Sequence, residues 1–427
     1  MLDREILRND PKKVRKAAGD KGEPCPLDSW LELDERRRHL LSLSEDLRRE
    51  RNDLSQRVAE RKKQGLDAED IIRESREAGD RISRLEQELG GVDRQMLEVE
   101  LSFPNIPDPD VPVGRDESAN IVLRTFGEPV EDPDLLPHWE LLGDRMDQDA
   151  SGAITGANFI LLRGWAAWLQ RNLINWMMDH NSRSDMEEVW VPFLANRESM
   201  TATGQIPKLE EDMYHVEKDD LFLVPTGEVP LTNIYRDSII PEKDLPISLC
   251  GYSPCFRREA GSYGKDTRGL NRVHQFEKVE MVRLVRPEDS SAAHEDMVAH
   301  AERMLELLEL TYRVSLLSTG DLSFAAAKCC DLEVWAPGQG KWLEVSSVSN
   351  FRDFQARRGG IRYRPSDGGK PRFVHTLNGS GLALPRVMAA LLETGQTPDG
   401  GIRLPKALAG FAGVDRLGET DPASRAL

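Results

Sequence analysis

Two long stretches with a regular repeat of apolar residues constrain the fold of this chain most strongly. In the first stretch, leucines recur every seven residues at Leu33, Leu40, Leu47 and Leu54. In the second, apolar residues alternate steps of four and three at Ala78, Ile82, Leu85, Leu89, Val92, Met96 and Val99. This spacing is typical of coiled-coil helices. With a turn at residues 64–67, it predicts an antiparallel two-helix arm over about residues 30–101, roughly 45 Å long.

The first helix of the arm is rich in positive charge. Its basic residues are Arg36, Arg37, Arg38, Arg48, Arg49, Arg51, Arg57, Arg61, Lys62 and Lys63. Acidic residues are interspersed among them, so the residues alone leave two interpretations open. The charge can simply solvate the surface of a coiled coil, or it can follow the phosphate backbone of an RNA.

Composition excludes some classes of protein. A net charge of −17 argues against a protein that coats nucleic acid indiscriminately, although a local basic surface is compatible with it. The chain has no run of about 18 apolar residues, so no membrane span is expected. Its charged N-terminus is unlike a signal peptide. The five cysteines show no disulfide framework or CxxC spacing. We therefore predict a cytoplasmic protein without structural zinc.

A proline-rich segment divides the chain. The prolines of residues 102–120 prevent continuation of the second arm helix. We predict an N-terminal domain over residues 1–103, a linker over 104–130 and a second domain over 131–427. Downstream strands follow one another with short connections, which predicts a mostly antiparallel sheet with flanking helices and an α+β fold. The last strand is predicted to turn at residues 378–381 into a helix.

One predicted hairpin, Cys255 to Met281, has side chains suited to binding a nucleotide and a small zwitterion. Strand alternation places Arg257 and Glu259 on one face of the first strand. On the second strand it places His274, Phe276, Lys278 and Glu280 on one face. An arginine can hold phosphate or carboxylate bidentately, a ring can stack on a base, and carboxylates can accept hydrogen bonds from amino groups. The alternative is a solvated hairpin of mixed charge.

Several motifs, in this order along the chain, resemble one known family. They are MLDREILRNDPKKV, the arm, PNIPDPDVPVG, PTGEVPLTN, FRREAGSYGKDTRGLNRVHQFEKVEM, EVSSVSNFRDFQARR and TLNGSGLALPR. Together they resemble the bacterial seryl-tRNA synthetases, which are class II aminoacyl-tRNA synthetases, over essentially the whole length. The resemblance implies a class II antiparallel sheet as the catalytic domain and a tRNA-binding N-terminal arm.

The resemblance also implies an activity and its partners. The carboxylate of L-serine attacks the α-phosphate of ATP, with Mg²⁺ bound to the ATP, to give seryl-adenylate and pyrophosphate. The terminal ribose hydroxyl of serine tRNA, or of selenocysteine tRNA where that is present, then attacks the adenylate. The family forms homodimers through the segment that matches residues 164–192, which contains a stripe of tryptophans that can otherwise belong to the core.

Site residues follow from the matched motifs. Those implied to be catalytic are Arg257, Glu344 and Arg386. Those implied to form the serine pocket are Thr226, Gly227, Glu228, Glu280, Asn378 and Ser380. Those implied to bind ATP are Arg257, Arg258, Glu259, Phe276, Glu344, Val345, Ser346, Ser347 and Arg386. The resemblance assigns the Mg²⁺ that accompanies ATP to Glu344 and Ser347.

The resemblance assigns individual roles as well. Arg257 bridges the serine carboxylate and the α-phosphate, Glu259 accepts from the adenine amino group, and Phe276 stacks on the base. Arg386 reaches the far phosphate. Lys265 and Arg268, in the loop of the hairpin, are candidates to meet ATP or the end of the tRNA.

The sequence departs from the family at a few positions. Gly227 stands where alanine is usual, Arg258 where a small residue is usual, and Val348 and Phe351 where cysteines are common. A specialised or inhibitor-resistant paralogue is therefore an alternative. An amino acid–carrier protein ligase is a second alternative, disfavoured because such relatives lack the arm. A catalytically dead RNA-binding paralogue is a third, disfavoured because the charged reactant-binding residues are present.

Overall fold

The structure, a computed structural model, describes residues 1–258 and 268–418. The chain divides into two compact units, which comprise residues 1–19 with 23–104 and residues 20–22 with 105–427. Glu259 and Lys265, both predicted to meet substrates, lie outside the described residues. None of the helices in the described ranges has the length and apolar character that a membrane span requires.

The first unit is helical. Its helices are α1 (Arg4–Asn9), α2 (Pro11–Asp20), α3 (Leu27–Lys63) and α4 (Glu69–Leu101). Helices α3 and α4 form the arm, and the predicted seam is buried at Leu40, Leu47 and Leu54 of α3. In α4 the buried seam includes Ala78, Ile82, Val92 and Met96. The predicted coiled-coil arm is therefore confirmed.

Ion pairs account for part of the charge on the arm. Across the two helices, Arg36 pairs with Glu88, Arg37 with Asp93 and Arg48 with Glu86, each at 2.7 Å. Exposed pairs of this kind contribute little stability individually. Several arginines of α3 are thus paired with carboxylates of α4 and are not only a source of surface charge.

Buried carboxylates tie the base of the arm together. Asp34 accepts from Arg8 at 2.6 and 2.7 Å, and this guanidinium holds the pKa of Asp34 below its usual range. Glu100 accepts from Arg4 at 2.7 Å and from the indole of Trp30 at 2.9 Å. These bonds join α1 to both arm helices.

The second unit is built on strands. They are β1 (Ile121–Phe126), β2 (Glu187–Glu188), β3 (Leu194–Asn196), β4 (His215–Val216), β5 (Leu221–Leu223), β6 (Ile239–Pro241), β7 (Ile247–Phe256), β8 (Gln275–Val285), β9 (Tyr312–Leu316), β10 (Lys328–Ala336), β11 (Lys341–Asn350), β12 (Arg362–Arg364), β13 (Arg372–Phe373), β14 (His375–Ala383), β15 (Ile402–Arg403) and β16 (Arg416–Leu417). In the described part of the chain, an eight-stranded sheet has the order β1-β9-β10-β11-β14-β8-β7-β2. Its pairs are antiparallel except β2 with β7, so the predicted antiparallel sheet is confirmed. Strand β1 comes from the segment predicted as a linker and pairs with β9.

Helices surround this sheet. They are α5 (His138–Leu142), α6 (Gln148–Thr155), α7 (Trp165–Ser182), α8 (Arg197–Thr203), α9 (Glu228–Asn233), α10 (Ser290–Leu307), α11 (Phe354–Arg358), α12 (Leu384–Thr394) and α13 (Lys406–Ala412). The largest apolar cluster joins α7, α10 and α12 to the central strands. Trp165 and Trp176 of the tryptophan stripe are buried in it. These two rings therefore belong to the core.

The predicted turn at residues 378–381 is wrong. Strand β14 continues through this segment to Ala383, and α12 begins at Leu384. The glycines serve close packing instead: a Cβ on Gly379 would lie 3.0 Å from Val348 of β11, and one on Gly381 would lie 3.1 Å from Met281 of β8. They let β14 fit between its two neighbours.

Candidate active site

A cavity of about 590 Å³ is lined by residues from β8, β11 and β14, from the segment after β7 and from the starts of α9 and α12. The predicted site residues in its wall are Thr226, Glu228, Arg257, Phe276, Glu280, Glu344, Val345, Ser347, Asn378, Ser380 and Arg386. Gly227, Arg258 and Ser346 are outside this wall. The Ser346 hydroxyl instead donates to the Ser380 carbonyl at 2.6 Å. Most of the residues assigned by motif thus converge on one cavity.

Strand pairing explains the convergence. On β8, Phe276, Lys278 and Glu280 share one face because side chains alternate along a strand, and all three line the cavity. Ser380 of β14 is the direct neighbour of Glu280 across the pair. Two residues 100 positions apart in the chain are thereby brought side by side.

A buried polar cluster is centred on Glu280. Its carboxylate accepts from the Thr226 hydroxyl at 3.0 Å and from the Asn378 amide at 3.2 Å, and it forms an ion pair with Lys278. The Lys278 ammonium also donates to the Thr226 hydroxyl at 2.7 Å. Strand alternation placed Lys278 on the same face as Glu280, but no motif assigned it to a substrate.

A second buried carboxylate, Glu228, lies in the same wall. Burial, and then the negative charge of Glu280, raise the pKa of Glu228 to about 7. Gln355 donates to this carboxylate and is itself held by a hydrogen bond of 2.7 Å from Thr376. Gln355 was also missed, because its partner is 127 positions away in the chain. The pocket is therefore suited to a ligand with a cationic group and a hydroxyl.

Two guanidinium groups line the cavity as well. That of Arg257 lies over the Phe276 ring at 5.3 Å and donates to the Pro225 carbonyl at 3.3 Å. Arg386 donates to the Asn271 carbonyl at 3.2 Å and to the Glu344 carbonyl at 2.9 Å. Guanidinium groups bind phosphate and carboxylate oxygens bidentately. This part of the cavity is suited to an anionic ligand with a planar ring.

The residues assigned to magnesium fit that ion. A carboxylate on Glu344 and a hydroxyl on Ser347 are hard oxygen ligands, and Mg²⁺ is commonly bound by one or two protein carboxylates together with phosphates and water. Asp331 lies directly across the strand pair from Ser347. Desolvation, and then the charge of Glu344, raise the pKa of Asp331 well above its usual range. A cation bound by Glu344 and Ser347 would offset the repulsion between the carboxylates of Glu344 and Asp331.

Arg258 points away from the cavity. Its guanidinium lies over the Tyr214 ring at 5.1 Å and donates to the Met213 carbonyl at 3.1 Å. Its backbone N–H donates to the Asp212 carbonyl at 3.2 Å. Asp212 and Met213 line the cavity. Arg258, which stands where the family usually has a small residue, therefore supports the part of the cavity wall formed by Asp212 and Met213.

Gly227 lies directly behind Glu280. A Cβ at Gly227 would be 2.9 Å from the Cβ of Glu280 and 3.3 Å from the Ser253 hydroxyl. The space next to Glu280 is therefore filled, and the backbone at residue 227 approaches β8 more closely than an alanine allows.

Two family models match the chain. The model of the seryl-tRNA synthetase N-terminal domain matches residues 1–107, and that of the tRNA synthetase class II core domain (G, H, P, S and T) matches residues 211–395. The serine–tRNA ligase of Thermomicrobium roseum is 51% identical over 98% of this chain and 95% of that protein. That of Natranaerobius thermophilus is 51% identical over 96% of this chain and 97% of that protein.

Solved structures agree with these matches. The seryl-tRNA synthetase from Pyrococcus horikoshii complexed with ATP has a TM-score of 0.91 and 36% identity, covering 97% of this chain and 99% of that one. The cytoplasmic serine–tRNA ligase from Naegleria fowleri in complex with AMP has a TM-score of 0.86 and 27% identity, covering 97% and 98%. The family predicted from the motifs is thus confirmed. The chain belongs to the seryl-tRNA synthetases.

Proposed function

We propose that this chain ligates L-serine to serine tRNA at the expense of ATP, through seryl-adenylate. The observation that carries the proposal is one cavity that combines the buried Glu228 and Glu280 carboxylates with Arg257, Phe276 and Arg386. The names of the full-length relatives support the same activity. Where selenocysteine tRNA is present, the same ligation applies to it.

Serine is recognised by charge and by one hydroxyl. Glu228 receives the ammonium group, Arg257 the carboxylate, and Glu280 accepts a hydrogen bond from the side-chain hydroxyl. A site built to bond a substrate hydroxyl strongly rejects the analogue that lacks it, because its buried polar groups are then left unpaired. Alanine is excluded on this ground, whereas the extra methyl group of threonine must be excluded by the shape of the pocket.

The first step is a displacement at phosphorus. A serine carboxylate oxygen forms a bond to the α-phosphorus while the bond from that phosphorus to the bridging oxygen breaks, and pyrophosphate leaves with the electron pair. Arg257 stabilises charge at the α-phosphate, Arg386 holds the leaving pyrophosphate, and Phe276 stacks on adenine. Glu344 and Ser347 would hold the Mg²⁺ that accompanies ATP, and that ion would supply positive charge against the phosphates. The protein acts by orientation and electrostatics.

The second step uses the tRNA. Its terminal ribose hydroxyl attacks the carbonyl carbon of seryl-adenylate and gives up its proton to the leaving phosphate oxygen or to water. The bond from that carbon to the phosphate oxygen breaks, and AMP leaves with the electron pair. The arginine-rich first helix of the arm supplies phosphate contacts to the RNA.

A homodimer is part of the proposal. Trp190 is 78% exposed and lies 6.1 to 6.2 Å from the rings of Phe193 and Tyr252. An exposed tryptophan of the segment 164–192 that lies beside two partly buried aromatic rings is the kind of surface that subunit interfaces bury. The occupant we propose is a second copy of this chain.

The test is amino-acid-dependent exchange between ATP and pyrophosphate across all twenty amino acids, followed by tRNA charging. We expect exchange with serine and charging of serine tRNA. Exchange with a different amino acid and not with serine would overturn the proposal. Transfer to a carrier protein in place of tRNA would favour the carrier-protein ligase.

Serine binding should depend on pH through Glu228. Its pKa of about 7 means that the carboxylate, which the serine ammonium needs, is mostly ionised above pH 7 and mostly protonated below it. The serine KM should therefore be about tenfold higher near pH 6 than near pH 8. Glu228→Gln should raise the serine KM at every pH and abolish this dependence. The ATP KM, measured over the same range, is the control; a serine KM that is flat in the wild type would contradict the role of Glu228.

Replacing Gly227 by the alanine usual in the family should disturb the serine pocket. The added Cβ would overlap the Cβ of Glu280, which is held on a central strand. We expect the serine KM to rise about fivefold, or about 1 kcal/mol, and the free energy of unfolding to fall by about 1 to 3 kcal/mol.

Gly410→Ala is the matched control, since a Cβ at this helical glycine meets nothing within 4 Å. Kinetics of serine activation and denaturant unfolding of both variants provide the measurement. A Gly227→Ala enzyme indistinguishable from the Gly410→Ala enzyme would show that Glu280 has more freedom than the contact implies.

A further inference from the structure

Behind the cavity lies a fully buried carboxylate, Glu393, which the proposed reaction does not use. It is in the last part of α12, about two turns after Arg386. Its Oε1 accepts from the backbone N–H of His138 at 3.0 Å, from His138 Nδ1 at 2.8 Å and from the Gln339 amide at 2.7 Å. Its Oε2 accepts from the Gln339 backbone N–H at 3.2 Å.

A hydrogen bond at the other ring nitrogen defines the protonation of His138. The imidazole Nε2 accepts a hydrogen bond of 2.9 Å from the backbone N–H of Leu270. A nitrogen that accepts carries no proton, so the ring is neutral and its hydrogen is on Nδ1, directed at Glu393. A buried carboxylate satisfied only by uncharged donors is costly to keep. That cost suggests that the arrangement serves a purpose beyond filling space.

The two partners of Glu393 hold the same short segment of chain. His138 holds Leu270, and the side chain of Gln339 accepts from the Asn271 amide at 2.8 Å. The approach to His138 is so close that a Cβ at Gly269 would lie 2.3 Å from Nε2, and Gly269 has a φ of +66° that favours glycine. Residues 269–271 are thus clamped from one side by two side chains that share one carboxylate.

The clamped segment leads to the cavity. The Asn271 carbonyl accepts from Arg386 Nε at 3.2 Å, and Leu270, Asn271 and Arg386 all line the cavity. Because Nε is part of the planar guanidinium, a carbonyl that accepts from Nε fixes the orientation of the guanidinium plane. The direction in which Arg386 presents its outer nitrogens therefore depends on the position of residue 271.

From this chain of contacts we infer that Glu393 and His138 are positioning residues for Arg386, and through it for the terminal phosphates of a nucleoside triphosphate. The inference rests on the proposed function, in which Arg386 contacts those phosphates. It assigns a role in ATP binding to two residues that touch neither the substrate nor the cavity.

The test compares nucleotides that differ only in the phosphates that Arg386 reaches. Glu393→Gln keeps the shape of the side chain, removes its charge and turns an amide N–H toward the existing donors. We expect ATP affinity to fall about tenfold, because small displacements of a positioned group weaken its contacts strongly. The affinity for AMP and the serine KM should stay unchanged. His138→Asn, which retains a donor to Glu393 and loses the bond from Leu270, should show the same ATP-selective loss without exposing the carboxylate.

Two controls complete the design. Glu100→Gln alters another buried carboxylate, at the base of the arm, and should leave ATP and AMP affinity at wild-type values. In an Arg386→Ala background, Glu393→Gln should cause no additional loss of ATP affinity, because residues that act through one contact are not additive.

Three results would overturn the inference: unchanged ATP affinity in both folded variants, equal losses for ATP, AMP and serine, or an undiminished effect of Glu393→Gln without Arg386. Full ATP affinity in Arg386→Ala alone would overturn the role of Arg386 in the proposed function, and this inference with it. Failure of the inference is thus distinguished from failure of the function.

Discussion

Deletion of residues 36–92 should abolish the charging of serine tRNA and leave seryl-adenylate formation nearly intact. Among the described residues, those that line the cavity all belong to the second unit, so we expect activation to need nothing from the arm. The deletion retains the base of the arm, where Asp34 and Glu100 hold α1 to the arm helices. Charging should fall by about 1,000-fold or more, the scale on which several phosphate contacts contribute to nucleic-acid binding. Exchange between ATP and pyrophosphate should change by about twofold at most, because its reactants make no contact with RNA.

A milder variant separates charge from shape. Arg51 and Arg57 are exposed on α3, and changing both to glutamine leaves the buried seam intact. This variant should charge tRNA more weakly and show a shallower dependence on salt, since fewer counterions are displaced. Parallel loss of exchange and charging in the deletion would show that the arm and the site are not independent.

Arg257→Ala should nearly eliminate serine activation. Its guanidinium is anchored over Phe276 and by the Pro225 carbonyl, so it is presented in a fixed position toward the cavity. Removing a preorganised group that stabilises charge in the transition state costs about 100- to 1,000-fold, and a charged bidentate group belongs at the upper end. The kcat/KM for exchange should therefore fall by about 1,000-fold, with an unchanged oligomeric state and circular dichroism spectrum.

Two variants serve as controls for Arg257. Arg257→Lys retains the charge without the bidentate fork and should keep part of the activity. Arg258→Ala removes the neighbouring guanidinium, which braces the wall from outside the cavity, and should cost only a few-fold in the ATP KM. Similar losses for Arg257→Ala and Arg258→Ala would contradict the assignment of charge stabilisation to Arg257.

The arm is the element that local sequence predicts best. Its heptad spacing depends only on the geometry of one helix packed on another, and the buried positions Leu40, Leu47 and Leu54 follow from it directly. The site was predicted differently, through ordered motifs that resemble a family. In the structure, 11 of the residues assigned from those motifs line one cavity.

Pairings between distant segments could not be predicted in this way. Gln355 reaches Glu228 across 127 positions, and Glu393 reaches His138 across 255. Arg258 was assigned to ATP from its place in a matched motif, and in the structure its guanidinium lies on Tyr214. The glycines of β14 were predicted to form a turn. They instead allow the neighbouring strands β11 and β8 to approach, and a short stretch of sequence does not show which strands will be neighbours.

The sequence by itself thus determined the arm, the family and the types of groups that are assigned to the substrates, since helix periodicity and motif order are properties of the chain alone. Only the tertiary structure decided which of these groups line the cavity and which lie outside it. It also raised the pKa of Glu228 to about 7, by burying that carboxylate near Glu280. The physical reason is that burial, hydrogen-bond partners and the approach of like charges depend on segments that come together only when the sheet forms.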